Sequence, residues 1–221
     1  MKNRIISVRI LFVLVLLGLA AVFLYCSSQT LLLKAGNFLA PEGTGRAEVV
    51  ILEGNGLIKL KAVRMATDLL SSGRADRLVA VTHKDIENGQ TFALPDYPSL
   101  LAKNLERLGL RKDQFQVIVA PSDHPVTLTE AKIVLSHLSR DGVKSVILLA
   151  EGFHTRRSYW AYKQVGLPLG IEIIPHPYFT SYPKEVWWQH RSGVGRFIYE
   201  SFKFIYYFLR GYIPLKSLFV T

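Results

Sequence analysis

A chain of 221 residues with 27 Lys and Arg against 17 Asp and Glu, a formal charge of +10 and a single cysteine has the length of one ordinary domain plus an appendage, and no intrachain disulfide. The positive balance does not single out nucleic acid, because no recognition-helix, zinc-finger or RNA-binding pattern accompanies it. Nine of the 27 cations lie towards the two ends: Lys2, Arg4 and Arg9 at the start, and Lys184, Arg191, Arg196, Lys203, Arg210 and Lys216 towards the finish, these six against only Glu185 and Glu200.

Residues 1–9 are basic. From Ile10 to Tyr25 the chain carries no charge over sixteen residues, or nineteen when Cys26-Ser27-Ser28 is included, close to the ~20 a helix needs to cross the hydrocarbon core. This predicts one transmembrane signal anchor over 10–28 rather than a cleaved signal peptide, since the run is long for a signal core and no Ala-x-Ala site follows it. Tyr25 is too bulky to precede a lipid-attachment cysteine, so Cys26 reads as a free thiol at the membrane interface. The leading basic residues predict a cytoplasmic N-terminus with the remainder across the membrane. The charge at both ends then suits anionic lipid headgroups. Residues 29–46, closing on Ala40-Pro41-Glu42-Gly43-Thr44-Gly45, read as a linker.

Five apolar runs alternate with amphipathic segments after that. The runs are Val49 to Leu52, Leu78 to Val81, Val117 to Ala120, Val146 to Ala150 and Ile171 to Ile174. Helical periodicity fills Lys59 to Ser71, Pro98 to Leu108, Thr127 to Leu138 and Arg157 to Val165. Such alternation predicts an α/β domain over 47–211, a three-layer α/β/α Rossmann-like fold with a mostly parallel five-stranded sheet, followed by a tail over 212–221. An aromatic helix around Phe197 to Leu209 has two readings: packing on the sheet, or one face in the membrane interface.

Ligands in such folds bind outside the carboxyl ends of the strands, which puts several polar residues on one rim. Glu53-Gly54-Asn55-Gly56 follows the first strand and is either a binding loop or a tight turn. It is not a dinucleotide fingerprint, because Lys59 stands where the third glycine belongs. Arg64, one turn into the next helix, either reaches the crevice or is a surface arginine. Thr82-His83 follows the second strand, Ser122-Asp123-His124 the third, His154 the fourth and His176 the fifth. No metal-ligand spacing supports a metal site, and no Gly-x-Ser-x-Gly elbow supports a serine nucleophile. Thr127-Leu128-Thr129-Glu130 has the form of a capping box. Four aliphatic residues, then Glu151-Gly152-Phe153-His154-Thr155-Arg156-Arg157-Ser158, bring an imidazole and two guanidiniums to the rim.

The order of these motifs resembles the SanA/ElyC/YdcF-like family, a bacterial domain of unknown function, from about Ala47 to Gly211. The matching pieces are Glu53-Gly54-Asn55, Arg64 with Leu69 and Gly73, Thr127 with Glu130-Ala131, Phe153 to Ser158, and Glu200 with Lys203, Tyr206 and Tyr207. The chain departs from the pattern at Glu53, at Thr82-His83-Lys84, near Ser99-Leu100 and in part at Thr127-Leu128-Thr129-Glu130, as a divergent member would. The resemblance implies a three-layer domain held at the bacterial inner membrane and a role in envelope integrity, in peptidoglycan or lipid-carrier metabolism. With it, the rim residues predict a site for a phosphorylated or anionic small molecule or lipid-linked intermediate. Gly54, Asn55, Arg64, Thr82, His83, Thr127 and Arg157 would bind the ligand, His154 would move a proton, and Glu53 or Glu130 would orient it or position a water. Neither a metal nor a particular cofactor is implied. A non-catalytic ligand-binding or scaffold module is the alternative.

Overall fold

The computed structural model describes residues 28–54, 58–84 and 97–218. The expected anchor over 10–28 lies outside them except for Ser28, and so does Asn55. Among the described residues no helix is long and apolar enough to cross a membrane. The chain is helical over 28–39 (α1), then runs through β1 (Val49–Leu52), α2 (Leu60–Ser71), β2 (Arg77–Lys84), α3 (Tyr97–Arg107), β3 (Phe115–Pro121), α4 (Val126–Arg140), β4 (Ser145–Glu151), α5 (Thr155–Leu169), β5 (Glu172–Tyr178) and α6 (Arg191–Leu209). All five strands are parallel, in the order β3-β2-β1-β4-β5.

β1 is central, and its four residues are wholly buried, which is why it reads as an unbroken apolar run. Alternate side chains serve opposite faces. Val50 and Leu52 pack with Ala62, Val63, Ala66 and Leu69 of α2 and Leu101 and Leu105 of α3. Val49 and Ile51 pack with Val134, Leu135 and Leu138 of α4, Trp160 and Tyr162 of α5, and Phe204 and Tyr207 of α6. Helices therefore cover both faces of the sheet, giving three layers. α5 ends where Gly170 takes φ 67°, a left-handed cap that lets its N–H reach back to the last turn.

Several expected boundaries move. β2 continues through Thr82, His83 and Lys84, which register with Val119, Ala120 and Pro121 of β3, so these polar residues lie in a strand rather than in the loop beyond it. β5 continues through Pro175 and Pro177. It is an edge strand paired only with β4, and an edge tolerates residues that cannot donate. The expected linker over 29–46 begins as α1, and Leu39 and Ala40 are buried. The expected tail over 212–221 is likewise part of the domain as far as it is described. Ile213 and Ser217 are buried, and the Ser217 carbonyl accepts from the Arg156 guanidinium at 3.0 Å.

Candidate functional site

The strand order reverses direction between β1 and β4, the position where open α/β sheets leave a crevice at their carboxyl edge. Glu53 directly follows β1, Glu151 ends β4, and His154 closes a 3-10 turn over Gly152–His154. The first turn of α5 carries Arg157 and Ser158, α4 brings Thr127 and Glu130, and α6 brings Glu200. The turn into α5 is held by Thr155, whose Oγ1 donates to the Gly152 carbonyl at 2.7 Å. Gly54 owes its identity to packing: a Cβ there would stand 2.5 Å from the Val81 carbonyl oxygen of the neighbouring strand.

His154 is the hub of a buried network. Its Nε2 lies 2.9 Å from Glu53 Oε1. Ser158 Oγ donates to Glu53, 2.6 Å from Oε1 and 2.8 Å from Oε2, and stands 2.8 Å from His154 Nε2. On the other side of the ring, Arg157 Nη2 is 2.7 Å and Glu200 Oε2 3.5 Å from Nδ1. Arg157 also donates from Nε to Glu200 Oε2 at 3.1 Å and from Nη1 to Thr127 Oγ1 at 2.9 Å. Its guanidinium lies over the Tyr207 ring, 4.7 Å from the centroid.

These contacts decide the charges. Burial alone would raise the Glu53 carboxyl, but His154, Ser158 and Arg157 outweigh it and hold it below its ordinary value. Glu200 is likewise driven against burial, by His154 and Arg157, down to about 2. Burial disfavours an imidazolium at His154 and Arg157 repels it, yet Glu53 and Glu200 together push the ring up to about 9. One contact records the opposing pull. A guanidinium can only donate, so Arg157 Nη2 at 2.7 Å requires a lone pair on Nδ1 and the proton on Nε2. Charging the ring gives up that hydrogen bond and leaves an Nδ1–H facing Glu200. Proton uptake at His154 is therefore tied to a small rearrangement of Arg157.

A second buried cluster adjoins the first. Glu130 Oε2 is 2.8 Å from His83 Nε2, and Glu130 Oε1 accepts from the Tyr162 hydroxyl at 2.6 Å. Burial raises the Glu130 carboxyl, and the negative charge of Glu53 adds to this against the hydrogen bonds from His83 and Tyr162. Thr82 is buried, and its Oγ1 has no hydrogen-bond partner among the described residues. The capping box expected at Thr127 does not form. α4 is capped at Pro125 without a side-chain bond, because Arg157 takes the Thr127 hydroxyl while His83 and Tyr162 take Glu130.

A cavity of about 60 Å³ opens beside the hub, room on the order of a few waters or one tetrahedral anion. His154 and Glu200 form its floor, with Lys59, Glu151, Thr180, Ser192 and Arg196 on its walls. Lys59 pairs with Glu151, and Thr180 Oγ1 donates to that carboxylate at 2.8 Å. Arg196 is exposed and makes no ion pair with a carboxylate among the described residues.

The placement of the expected residues is therefore mixed. Glu53, His154, Arg157 and Thr127 converge as one network, with Glu130, His83 and Thr82 beside it, but of all these only His154 faces the cavity. Glu53 and Glu130 lie behind it as supports. Arg64 stands exposed on α2 and has no part in the cavity wall. Neither guanidinium of the Arg156-Arg157 pair is offered to the crevice. Arg156 donates to the carbonyls of Ser217 and Phe38, and burial depresses it to about 10. His176 sits within β5, 3.7 Å from Glu42, and Asp123 and His124 are exposed. Among the described residues no group of three His, Cys, Asp or Glu side chains is arranged to hold a metal ion. Sequence reasoning missed Ser158, Glu200, Lys59 and Arg196 as site residues. Ser158 carried a signal, four residues after His154 on the same helical face. Glu200 carried another, as the lone carboxylate of an aromatic helix.

The chain matches no family model, no curated protein and no solved structure.

Proposed function

We propose that this chain is a membrane-anchored protein of the bacterial envelope that binds a phosphorylated or otherwise anionic ligand in the cavity beside His154, and that it hydrolyses or transfers a phosphate there. The observation that carries the reading is the position of His154. Glu53 and Ser158 hold its Nε2 and Arg157 holds its Nδ1, and the residue forms part of a cavity that also holds Lys59 and Arg196. Arg196, uncommitted to any described carboxylate, meets the anion, and Lys59 turns to it from Glu151. In the imidazolium form His154 gives its proton to the leaving oxygen as the P–O bond breaks, while a water or second substrate supplies the incoming oxygen. Glu53 and Glu200 are positioning residues, since they hold the ring and its charge.

The anchor over 10–28, with basic residues before it, supports placement at the inner membrane with the α/β domain on the extracytoplasmic side. The motif resemblance supports an envelope role in peptidoglycan or lipid-carrier metabolism. One observation favours a non-catalytic binding module instead: Ser158, the hydroxyl beside His154, is wholly buried and donates to Glu53, so it is not offered to the ligand as a nucleophile. Phosphate release by the full-length protein in detergent, measured over lipid pyrophosphates, nucleotides and sugar phosphates, separates the two. Catalysis predicts turnover of at least one class, reduced about a hundredfold or more in His154→Ala. Absence of turnover with every class would leave binding alone, and turnover unaffected by His154→Ala would contradict the assignment of the site.

A further inference from the structure

α6 has two unlike faces. Gly193, Glu200, Phe204 and Tyr207 point inward. Ile198, Phe202, Ile205 and Leu209 stand on the outer face with Tyr199 and Tyr206 beside them, Phe202 68% and Leu209 75% exposed. Their spacing lays them along one stripe of the helix, and a contiguous exposed apolar stripe marks an interaction surface.

Charge and position select the partner. Apart from buried Glu200, every charged residue of α6 is a cation: Arg191, Arg196 and Lys203. Arg210 follows the helix directly. Lys203 Nζ lies over the Tyr199 ring at 4.3 Å. Phe, Ile and Leu flanked by Tyr and cations is the composition of a helix lying in a membrane interface. The last turn of α1 is fixed to α6 from the inner side. Phe38 meets Phe204 edge-on at 5.8 Å, and Arg156 clamps Phe38 from above at 3.8 Å. The apolar run ends at Tyr25, and α1 over 28–39 extends only about 18 Å at the rise of a helix. A bilayer holding that run lies close to α6.

We infer that the outer face of α6 lies in the headgroup–acyl boundary of an anionic bilayer, with the Phe202–Leu209 stripe in the acyl region and the flanking cations on lipid phosphates. The inference rests on the reading of 10–28 as a membrane anchor. It brings the cavity to headgroup level, because Ser192, Arg196 and Glu200 of the same helix line its wall, and so favours a phosphate carried on a lipid as the ligand.

Full-length protein in vesicles of phosphatidylethanolamine and phosphatidylglycerol provides the test. In a Cys26→Ser background, single cysteines introduced as Gly18→Cys, Arg64→Cys, Phe202→Cys or Leu209→Cys carry a polarity-sensitive fluorophore, and the lipids carry quenchers at both shallow and deep acyl positions. The expected result is about a twofold or greater loss of fluorescence at 18, 202 and 209 and none at 64. Exchanging phosphatidylglycerol for phosphatidylcholine is expected to weaken the effect at 202 and 209 only. Quenching at 18 without quenching at 202 and 209 would overturn the inference and leave the anchor standing. Cross-linking between 202 positions of two chains would also overturn it, in favour of a second copy. No quenching at 18 would overturn the anchor and the inference together.

Discussion

Arg157→Ala is expected to destabilise the protein by about 3–5 kcal/mol, the usual cost of removing one partner from a buried ion pair. Glu200 is almost fully buried, and its carboxylate depends on the guanidinium at 3.1 Å. Truncation leaves that charge without its guanidinium partner, the Thr127 hydroxyl without its donor, and His154 Nδ1 facing Glu200 alone. The cost arises mainly from the stranded charge. Replacing both residues by apolar side chains of similar volume, Arg157→Met with Glu200→Leu, is therefore expected to be less damaging than Arg157→Ala alone. Chemical denaturation of the full-length protein in detergent reads both values. A single-variant cost below about 1 kcal/mol, the range of an exposed pair, would show that the pair is solvated and the network loose.

The second large effect is a two-sided dependence of stability on pH. Glu200 is held at about 2 against an ordinary 4.5, so its contribution is complete above 4.5 and disappears as the pH falls through 2. His154 is raised to about 9 from an ordinary 6.5, so its contribution is complete below 6.5 and disappears as the pH rises through 9. Each limb is worth about 3 kcal/mol. The two are not additive, because the attraction between His154 and Glu200 underlies both. The network is thus strongest between about 4.5 and 6.5. Thermal melts of Glu200→Gln are expected to start lower than wild type at pH 6 and to fall less on acidification, and those of His154→Gln to fall less between 6.5 and 9. Parallel wild-type and variant profiles would contradict the charge assignments.

How much of this was legible beforehand varies with the physics of each element. β1 and β4 read from their apolar runs to within a residue because both are buried on two faces. β2 and β5 were cut short because Thr82-His83 and Pro175-His176-Pro177 are loop signals locally, and pairing with β3 and β4 overrides them. The Thr127–Glu130 box satisfied a local rule, but stronger donors from α5 and β2 competed for both side chains. α1 reads locally as linker because its apolar residues Leu32, Phe38 and Leu39 find Phe153, Trp187 and Phe204, more than a hundred residues away, as packing partners. In the site, the convergence of Glu53, His154 and Arg157 followed from strand ends and helix starts. Arg64 did not join them, because rotation about a helix axis decides whether a side chain faces a crevice, and a single position does not reveal it. Glu200 and Arg196 come from the terminal helix, whose docking is set by Phe204 and Tyr207 rather than by strand order.

The central claim, that an anion seats in the cavity on His154, is tested most directly by thermal unfolding of the full-length protein titrated with inorganic phosphate. Saturation at a hundredfold over Kd is expected to stabilise the wild type by about 2.7 kcal/mol, with the increment lost in His154→Ala and Arg196→Ala and kept in Arg64→Ala. An increment that persists without His154 and Arg196, or that disappears with Arg64, would place the anion elsewhere and contradict the account.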